Sequence, residues 1–248
     1  MSIFNVFGQG KKRGLVPRDE GFRIEDRGYE RVLKYDGITY SKLRGRGIYT
    51  GEYWDYFLPV AYAFATPSIL LIGLGGGTIA FQLSRLMSER LRLDVVELSQ
   101  RAVDLSRRFA PAIKANVMVG DGAEYVAATG KRYDAILLDA YTSSQIPEQF
   151  LQKKFVDDAY NALSDDGVLA INYAMGMMGI LRFAEYTKKL KERFRVYKVN
   201  TAVFEGNVIL VCSKRLGKEE LLDRIRARMP GSSDNEFLAR NYSRMDRL

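Results

Sequence analysis

At 248 residues, with 47% hydrophobic and 27% charged residues, the chain has the size and composition of one large globular domain, alone or with a small appendage. It has no histidine and a single cysteine, Cys212, which excludes histidine-dependent nucleophiles, most zinc sites and intrachain disulfides. The formal charge of +8 comes from scattered Lys and Arg residues, so a nucleic-acid partner is disfavoured without being excluded. Because the sequence has neither a membrane-length apolar stretch nor a signal-peptide pattern, we expect a cytoplasmic protein with no membrane partner.

Short strands and turns are predicted for the N-terminal part of the chain. Residues 1–20 are typical of a weakly ordered lead-in, and residues 22–49 of a small β region in which Asp36-Gly37 joins two β-rich runs as a hairpin. Residues 53–66 are rich in aromatic side chains and predict a helix that breaks near Pro59. Core packing is the default explanation of these rings, with an acceptor pocket and a homodimer interface as the open alternatives.

Predicted strands and helices alternate from residue 69 onward. The strands are expected at 69–72, 93–97, 116–119, 134–138, 168–172, 195–200 and 207–212. The helices are expected at 79–90, 100–109, 123–128, 148–163, 179–193 and 217–229. Residues 165–167 are predicted as a turn, and residues 230–248 as a loose tail.

This alternation predicts an α/β fold: a mostly parallel seven-stranded sheet with an antiparallel last strand, preceded by a small N-terminal β region. No second mononucleotide-binding half follows the first. The pattern is therefore typical of the Rossmann-like class I methyltransferase fold of S-adenosylmethionine-dependent transferases, and not of a dehydrogenase. We expect residues 1–52 to form the tail and small β region, 53–216 the nucleoside-binding catalytic domain, and 217–248 a C-terminal helix and tail.

A glycine-rich turn follows the first strand of the alternating part. Residues 69–72 are all apolar and run directly into Gly73, Gly75, Gly76 and Gly77. Glycines let the backbone bend sharply and approach a ligand closely, and the N-terminus of the following helix directs free N–H groups to the same place. The turn predicts nucleotide binding through these four glycines, with a simple tight turn as the alternative.

Carboxylates stand at three later strand ends, where ligands bind in open α/β sheets. Glu97 can accept both hydroxyl hydrogens of a ribose, unless it is merely a solvent-facing strand end. Asp121 lies between two glycines and can accept from an adenine amino group, although an Asp beside Gly is also common in turns. Asp139 precedes a long loop at the mouth of the predicted site, which favours a substrate-facing role over that of a cap.

Several motifs in one order resemble the spermidine synthase (polyamine aminopropyltransferase) family. The matching segments are 73–77 (GLGGG), 95–98 (VVEL), 120–125 (GDGAEY), 133–140 (YDAILLDA), 146–147 (IP) and 166–169 (DGVL). The hairpin around Asp36-Gly37 is also similar to the small N-terminal β region of that family.

The resemblance implies roles for the three carboxylates. Glu97 would hold the ribose hydroxyls, Asp121 the adenine, and Asp139 would be the acid that deprotonates the attacking amine. The nucleoside-binding residues implied in the same way also include Leu98, Gly122 and Ala123. The family reaction passes a propylamine group from an adenosyl sulfonium to an amine and requires no metal.

The sequence departs from the family where acids are expected. The family carries an acid in the glycine turn, at the place of Gly76 or Gly77, and a second acid where residues 142–144 are Thr, Ser and Ser. In the N-terminal region, Gln, Tyr and Gln or His are replaced by Tyr40, Thr50 and Gly51. The candidate substrate contacts are Tyr40, Tyr141 and Thr142.

Three functions are therefore in competition. The first is aminopropyl transfer from decarboxylated S-adenosylmethionine to a small-molecule amine, as in polyamine biosynthesis. The second is an S-adenosylmethionine-dependent methyltransferase acting on a small molecule or RNA, because the lost glycine-turn acid would have repelled the methionine carboxylate. The third is a non-catalytic relative that binds a nucleoside. We expect the first.

Overall fold

The computed structural model describes residues 22–35, 38–45, 48–141, 145–201 and 206–248, which form two β-sheets and eight α-helices. The predicted lead-in at 1–20, the hairpin turn Asp36-Gly37 and the candidate substrate contact Thr142 lie outside the described residues. No helix within the described ranges is long and apolar enough to cross a membrane.

The small N-terminal sheet has three antiparallel strands. These are β1 (Phe22–Arg27), β2 (Glu30–Tyr35) and β3 (Ile38–Arg44), in the order β1-β2-β3. Leu33, Tyr40 and Leu43 from this sheet pack in one cluster with Leu105 and Phe109 of the main domain. This packing confirms the predicted β region and brings β3 close to the glycine turn.

The main sheet has the order β11-β9-β10-β8-β7-β4-β5-β6. Its strands are β4 (Ser68–Ile72), β5 (Arg92–Glu97), β6 (Asn116–Val119), β7 (Tyr133–Leu138), β8 (Leu163–Ala174), β9 (Arg195–Asn200), β10 (Asn207–Ser213) and β11 (Asp246–Arg247). Strands β4 to β8 pair in parallel, whereas β10 is antiparallel to both β8 and β9. The predicted fold is confirmed, with β11 as an eighth, two-residue strand added at the edge next to β9.

Helices cover both faces of this sheet. They are α1 (Leu58–Tyr62), α2 (Thr78–Met87), α3 (Gln100–Phe109), α4 (Gly122–Ala128), α5 (Lys153–Ala162), α6 (Met177–Lys191), α7 (Lys218–Arg228) and α8 (Ser233–Ser243). One buried cluster joins the sheet to α1, α2, α7 and α8, and a second joins the opposite face to α4, α5 and α6. Because both faces are covered, the central strands are almost wholly apolar.

Two local predictions were wrong in detail. The predicted turn at 165–167 is part of β8: Tyr133 pairs with Leu163 and Ala135 with Val168, so the intervening residues form a bulge within the strand. The predicted helix at 53–66 is a 3-10 segment (Tyr53–Phe57) followed by α1, which ends at Tyr62. Its proline occupies the first turn of α1, where the missing N–H has no helical partner to lose.

The predicted loose tail is also wrong. Residues 233–243 form α8, and the side chain of Ser232 accepts a hydrogen bond from the main-chain N–H of Asn235 at the start of the helix. Leu238, Tyr242 and Met245 are buried in the same cluster as α1. These apolar residues are too few in a polar segment to indicate a helix from the sequence. They are nevertheless enough to pack α8 against the main domain.

Candidate active site

A cleft opens at the carboxyl ends of β4, β5, β6 and β7, with β3 of the small sheet closing one side. The cleft holds about 1010 Å³ of space between protein atoms, counting the part that is open to solvent. Its lining includes all three predicted carboxylates, Glu97, Asp121 and Asp139. The strand ends thus bring together the acids that the sequence places 24 or 18 residues apart (121 − 97 and 139 − 121).

The glycine turn forms the floor of the cleft through Gly73 and Gly75. Both have positive φ angles, 89° and 54°, which side-chain-bearing residues rarely adopt. A Cβ at Gly73 would lie 2.5 Å from the main-chain oxygen of Asp139, so only glycine lets the end of β4 approach the end of β7 this closely. Gly73 also donates its main-chain N–H to the oxygen of Val96, at 2.9 Å. These contacts fix three strand ends relative to each other.

The other two predicted glycines, Gly76 and Gly77, lie outside the cleft lining and pack against neighbouring side chains. A Cβ at Gly76 would lie 2.4 Å from the hydroxyl oxygen of Ser41 on β3, and one at Gly77 would lie 2.6 Å from Ile113. Ser41 itself lines the cleft, and its hydroxyl accepts a hydrogen bond from Thr78 at 3.2 Å. Close packing between β3 and the turn therefore explains the glycine at position 76. Direct nucleotide contacts by Gly76 and Gly77 remain predictions.

The Glu97 carboxylate is anchored by main-chain groups. One oxygen accepts from the N–H of Leu74 at 2.8 Å, and the other from the N–H of Ser99 at 3.0 Å. Burial raises the pKa of Glu97 above its usual value, and these main-chain donors act in the opposite direction. The carboxylate is held between the glycine turn and the start of α3. Ribose binding by Glu97 stays a prediction.

Asp121 has a structural role in addition to its predicted one. One of its oxygens accepts from the main-chain N–H of Ala123 at 2.7 Å, which caps α4. Its other oxygen accepts from the side-chain amide of Gln149 at 3.0 Å. Ala123 therefore takes part through its main chain and is absent from the cleft lining, whereas Gly122 lines the cleft. Adenine recognition by Asp121 stays a prediction in which Gln149 competes for the same oxygen.

Leu98 is one of the predicted nucleoside-binding residues. It lines the cleft, and 48% of its surface is exposed, which is unusual for a leucine directly after a buried strand. Val96 and Phe150 lie in the same lining. An apolar wall of this kind suits the flat face of a purine.

Asp139 lies at the end of β7, facing the half of the cleft away from Leu98. One oxygen accepts from the side-chain amide of Asn172 at 2.8 Å, and the other is 3.5 Å from the hydroxyl of Tyr53. Burial raises the pKa of Asp139 to about 6, and the two donors oppose that rise. Its carboxylate therefore takes up a proton much closer to neutral pH than an exposed aspartate does.

Aromatic side chains surround Asp139. Tyr40, Tyr53, Trp54 and Tyr141 all line the cleft. The hydroxyl of Tyr141 donates to the main-chain oxygen of Asn172, so it points into the β-sheet. The pKa of Tyr40 is raised well above its usual value by burial and by the charges of Glu97 and Asp139.

The aromatic segment after β3 belongs to the core as well as to the cleft. Tyr53, Trp54, Tyr56 and Phe57 are all buried within one copy of the chain. Core packing, the default prediction, is therefore correct, and Tyr53 and Trp54 also line the cleft. Because the rings are already covered, this segment gives no support to a homodimer interface.

Sequence reasoning missed four polar residues of the site. These are Ser41, Gln149, Asn172 and Asn207. Each reaches its partner across a long separation in the chain, and none stands in a local pattern that would single it out. Among the described residues, no group of three or more Cys, Asp or Glu side chains is placed to hold a metal ion.

A family model described as the spermine/spermidine synthase domain matches residues 59–214, well over half of the chain. The chain belongs to the spermine/spermidine synthase family. The resemblance inferred from the motifs is confirmed, and the matched range contains the glycine turn and all three carboxylates of the cleft.

Curated relatives of this family member include two kinds of enzyme. The polyamine aminopropyltransferase of Vibrio vulnificus is 31% identical over 154 residues, which are 54% of this chain and 51% of that protein. Putrescine N-methyltransferase 2 of Nicotiana attenuata is 31% identical over 154 residues, 59% of this chain and 41% of that protein. The chain thus spans about half the length, or less, of these relatives.

A solved spermidine synthase, in complex with the transition-state analogue AdoDATO, has the same fold. The superposition has a TM-score of 0.68 at 19% identity and covers 92% of this chain and 83% of that one. The small N-terminal sheet and the main domain therefore both have counterparts in a spermidine synthase. In this chain, Ser41 of the small sheet lies against Gly76 of the glycine turn.

Proposed function

We propose that this protein transfers an aminopropyl group from decarboxylated S-adenosylmethionine to a small-molecule amine. The observation that carries the proposal is Asp139, a buried carboxylate with a pKa raised to about 6, at the mouth of the cleft. It faces the aromatic half, while Glu97 and Leu98 line the half that suits an adenosyl group. Family membership supports the same reaction.

The proposed step is a direct displacement at carbon. The amine nitrogen attacks the propyl carbon next to the sulfonium, a C–N bond forms, the C–S bond breaks, and the sulfur keeps the electron pair as methylthioadenosine leaves. The amine must lose a proton to become a nucleophile, and the Asp139 carboxylate is positioned to accept it. Most of the rate enhancement would come from holding the two reactants in line.

The charge of the cleft suits cationic substrates. Its lining includes Glu97, Asp121 and Asp139, and none of the lining residues in the described part of the chain is Lys or Arg. Both a sulfonium and an ammonium ion would be attracted to such a site. The rings of Tyr53 and Trp54 can add a cation–π contribution next to Asp139.

Methyl transfer from S-adenosylmethionine is the second candidate, and one observation favours it. Gly76 and Gly77 stand at the two places where the resemblance implies an acid, and the neutral hydroxyls of Ser41 and Thr78 lie beside this turn. A neutral pair of hydroxyls does not repel the carboxylate of S-adenosylmethionine. The putrescine N-methyltransferase relative supports this reading, whereas the matched family and its aminopropyltransferases favour the first.

Calorimetry and turnover assays separate the candidates. We expect methylthioadenosine and decarboxylated S-adenosylmethionine to bind, and the decarboxylated donor to bind more tightly than S-adenosylmethionine. Aminopropyl transfer would then be measured by the release of methylthioadenosine with putrescine as the first amine tried. Tighter binding of S-adenosylmethionine, with formation of S-adenosylhomocysteine, would replace the proposal by methyl transfer. Binding of methylthioadenosine without turnover of either donor would indicate a non-catalytic relative.

A further inference from the structure

Behind Asp139, two buried asparagine side chains form a chain of hydrogen bonds. Asn207 donates its side-chain N–H to the side-chain oxygen of Asn172, at 3.0 Å. Asn172 in turn donates its N–H to Asp139, at 2.8 Å. Both residues are buried: Asn172 is 0% exposed and Asn207 is 3% exposed. Asn172 touches the proposed proton acceptor directly, and Asn207 reaches it only through Asn172.

The sheet register explains how Asn207 reaches Asn172. Strands β8 and β10 are antiparallel, with Asn207 opposite Ala174 and Ile209 opposite Asn172. Asn207 is thus the diagonal neighbour of Asn172 on the same face of the sheet, within reach of a side-chain amide. The strand continues with apolar residues from Val208 to Cys212, so an asparagine at its start is the exception.

Burying Asn207 carries an energetic cost. Its side-chain oxygen has no hydrogen-bond partner among the described residues, although the group is buried. A buried amide oxygen without a partner costs free energy that an apolar residue of similar size would avoid. Within the described part of the chain, the side chain of Asn207 makes its hydrogen bond to Asn172. That bond is therefore the candidate reason for an asparagine here.

The orientation of the Asn172 amide determines which protonation state of Asp139 it stabilises. An amide has one face that donates and one that accepts, and it can rotate to present either. If the oxygen of Asn172 faced Asp139, only the protonated acid could bond to it. With the donor of Asn207 satisfying that oxygen, the N–H of Asn172 faces Asp139 and favours the ionised carboxylate.

We propose that Asn207 is a positioning residue, which holds the amide of Asn172 with its N–H directed at Asp139. The inference rests on the proposed role of Asp139 as the proton acceptor. Other groups facing Asp139 are the hydroxyl of Tyr53 and the rings of Tyr40 and Tyr141. Substitution of Asn207 removes the donor to the Asn172 oxygen and leaves Asn172 and Asp139 themselves unaltered.

The test is a titration of Asp139 by carbon NMR of its carboxyl group, assigned with Asp139→Asn. We expect Asn207→Leu to raise the titration midpoint by about one pH unit, because Asn172 can then turn its oxygen toward a protonated Asp139. The acidic limb of the kcat/KM profile should move by the same amount. Affinity for methylthioadenosine should stay unchanged, since the nucleoside half of the cleft is not touched.

Thr201→Val is the matched control. The Thr201 hydroxyl donates to the main-chain oxygen of Asn207 at 2.7 Å. This variant therefore disturbs the same strand end but leaves the side-chain hydrogen bonds from Asn207 to Asn172 and from Asn172 to Asp139 in place. Its titration midpoint should equal that of the unaltered protein. Should Asn207→Leu not fold, Asn207→Val makes the same deletion with a smaller side chain that suits a strand.

An unchanged midpoint in a folded Asn207→Leu or Asn207→Val protein would overturn the inference, as would an equal shift in Thr201→Val. The NMR titration needs no turnover. If no donor is turned over, the proposed function fails while the midpoint still decides the role of Asn207. If turnover is found but the midpoint does not move, only the positioning role fails.

Discussion

The raised pKa of Asp139 suits proton transfer but lowers the stability of the folded protein at neutral pH. Its pKa in the folded protein is about 6, above the ordinary value of 3.8. The unfolded chain therefore holds the ionised form more easily than the native protein does. The stability that the neutral form provides is present below the ordinary pKa and is lost as pH rises through the folded pKa. At neutral pH the protein carries an ionised, partly buried carboxylate at a cost in stability.

Replacing Asp139 with Asn should remove that cost together with the proton acceptor. We expect turnover to fall by roughly 10²–10⁴-fold, the usual contribution of a positioned base, while methylthioadenosine still binds. The free energy of unfolding should exceed that of the unaltered protein by about 1–3 kcal/mol at pH 8, with little difference at pH 4. Denaturant titrations at both pH values measure this. A variant less stable than the parent at pH 8 would mean that the carboxylate is a structural anchor.

Activity should also depend on the ionisation of Asp139. With its pKa at about 6, the carboxylate becomes protonated as pH falls through that value and can no longer accept a proton. We expect kcat to be constant above pH 7 and to fall about tenfold for each unit below pH 5. A pH profile at saturating donor measures this. A profile without an acidic limb between pH 5 and 7 would contradict the assignment of Asp139.

Glu97 is the residue on which nucleoside binding should depend. Both of its oxygens accept main-chain N–H groups, so a Gln side chain would turn an N–H₂ group against the N–H of Leu74 or of Ser99. We expect Glu97→Gln to weaken methylthioadenosine binding by at least about tenfold, or about 1.4 kcal/mol. Calorimetry measures it. Asp94→Asn is the control, because Asp94 lies on the same strand but is absent from the cleft lining and bonds to Lys131 and Tyr133. An equal loss of affinity in Asp94→Asn would indicate a general effect on β5.

At the scale of elements, strand β3 determines what the glycine turn can carry. The φ angle of Gly76 is not in the left-handed region, so its backbone would accept another residue. The obstacle is Ser41, whose Oγ and Cβ lie 2.4 and 2.5 Å from a Cβ built at position 76. A side chain at position 76, one of the two places where the resemblance implies an acid, would therefore meet the small N-terminal sheet. Local motif reading cannot detect this coupling, because 35 residues separate the two positions (76 − 41).

A pair of substitutions should restore the acid. Gly76→Asp alone should destabilise the protein by about 1–3 kcal/mol because of overpacking, and adding Ser41→Gly should recover most of that loss. The double variant should bind decarboxylated S-adenosylmethionine more tightly relative to S-adenosylmethionine than the parent does. Ser41→Ala with Gly76→Asp is the control, since it keeps the obstructing Cβ. Equal rescue by Gly and Ala at position 41, in thermal unfolding, would refute the steric argument.

Across the whole molecule, the sequence predicted what local patterns determine. Runs such as residues 69–72 and the acids at strand ends predicted the parallel sheet and the carboxylates of the cleft. The asparagine chain behind Asp139 could not be predicted, because it depends on the antiparallel register between β8 and β10. Helix α8 was not predicted because its few apolar residues are recognisable as a buried face only when α1 and β9 are seen to pack against them.

Helix α8 belongs to the same buried cluster that supports the cleft. Leu238 is 2% exposed in that cluster, and the hydroxyl of Tyr242 donates to the main-chain oxygen of Tyr56. Tyr56 lies two residues after Trp54, which lines the cleft together with Tyr53. The C-terminal segment therefore supports the cleft from behind.

Leu238→Ala should consequently affect the entire protein. Removing this buried side chain should lower the free energy of unfolding by about 2–4 kcal/mol in one cooperative transition, because it leaves a cavity in the cluster shared by α1, α7 and the sheet. Phe237→Ala on the same helix is the control, since Phe237 is 42% exposed and should change stability by less than about 0.5 kcal/mol. Denaturant unfolding followed by circular dichroism and by the fluorescence of Trp54 tests both. Two separate transitions, with the Trp54 signal unaffected by Leu238→Ala, would show that the C-terminal segment unfolds apart from the domain that carries the cleft.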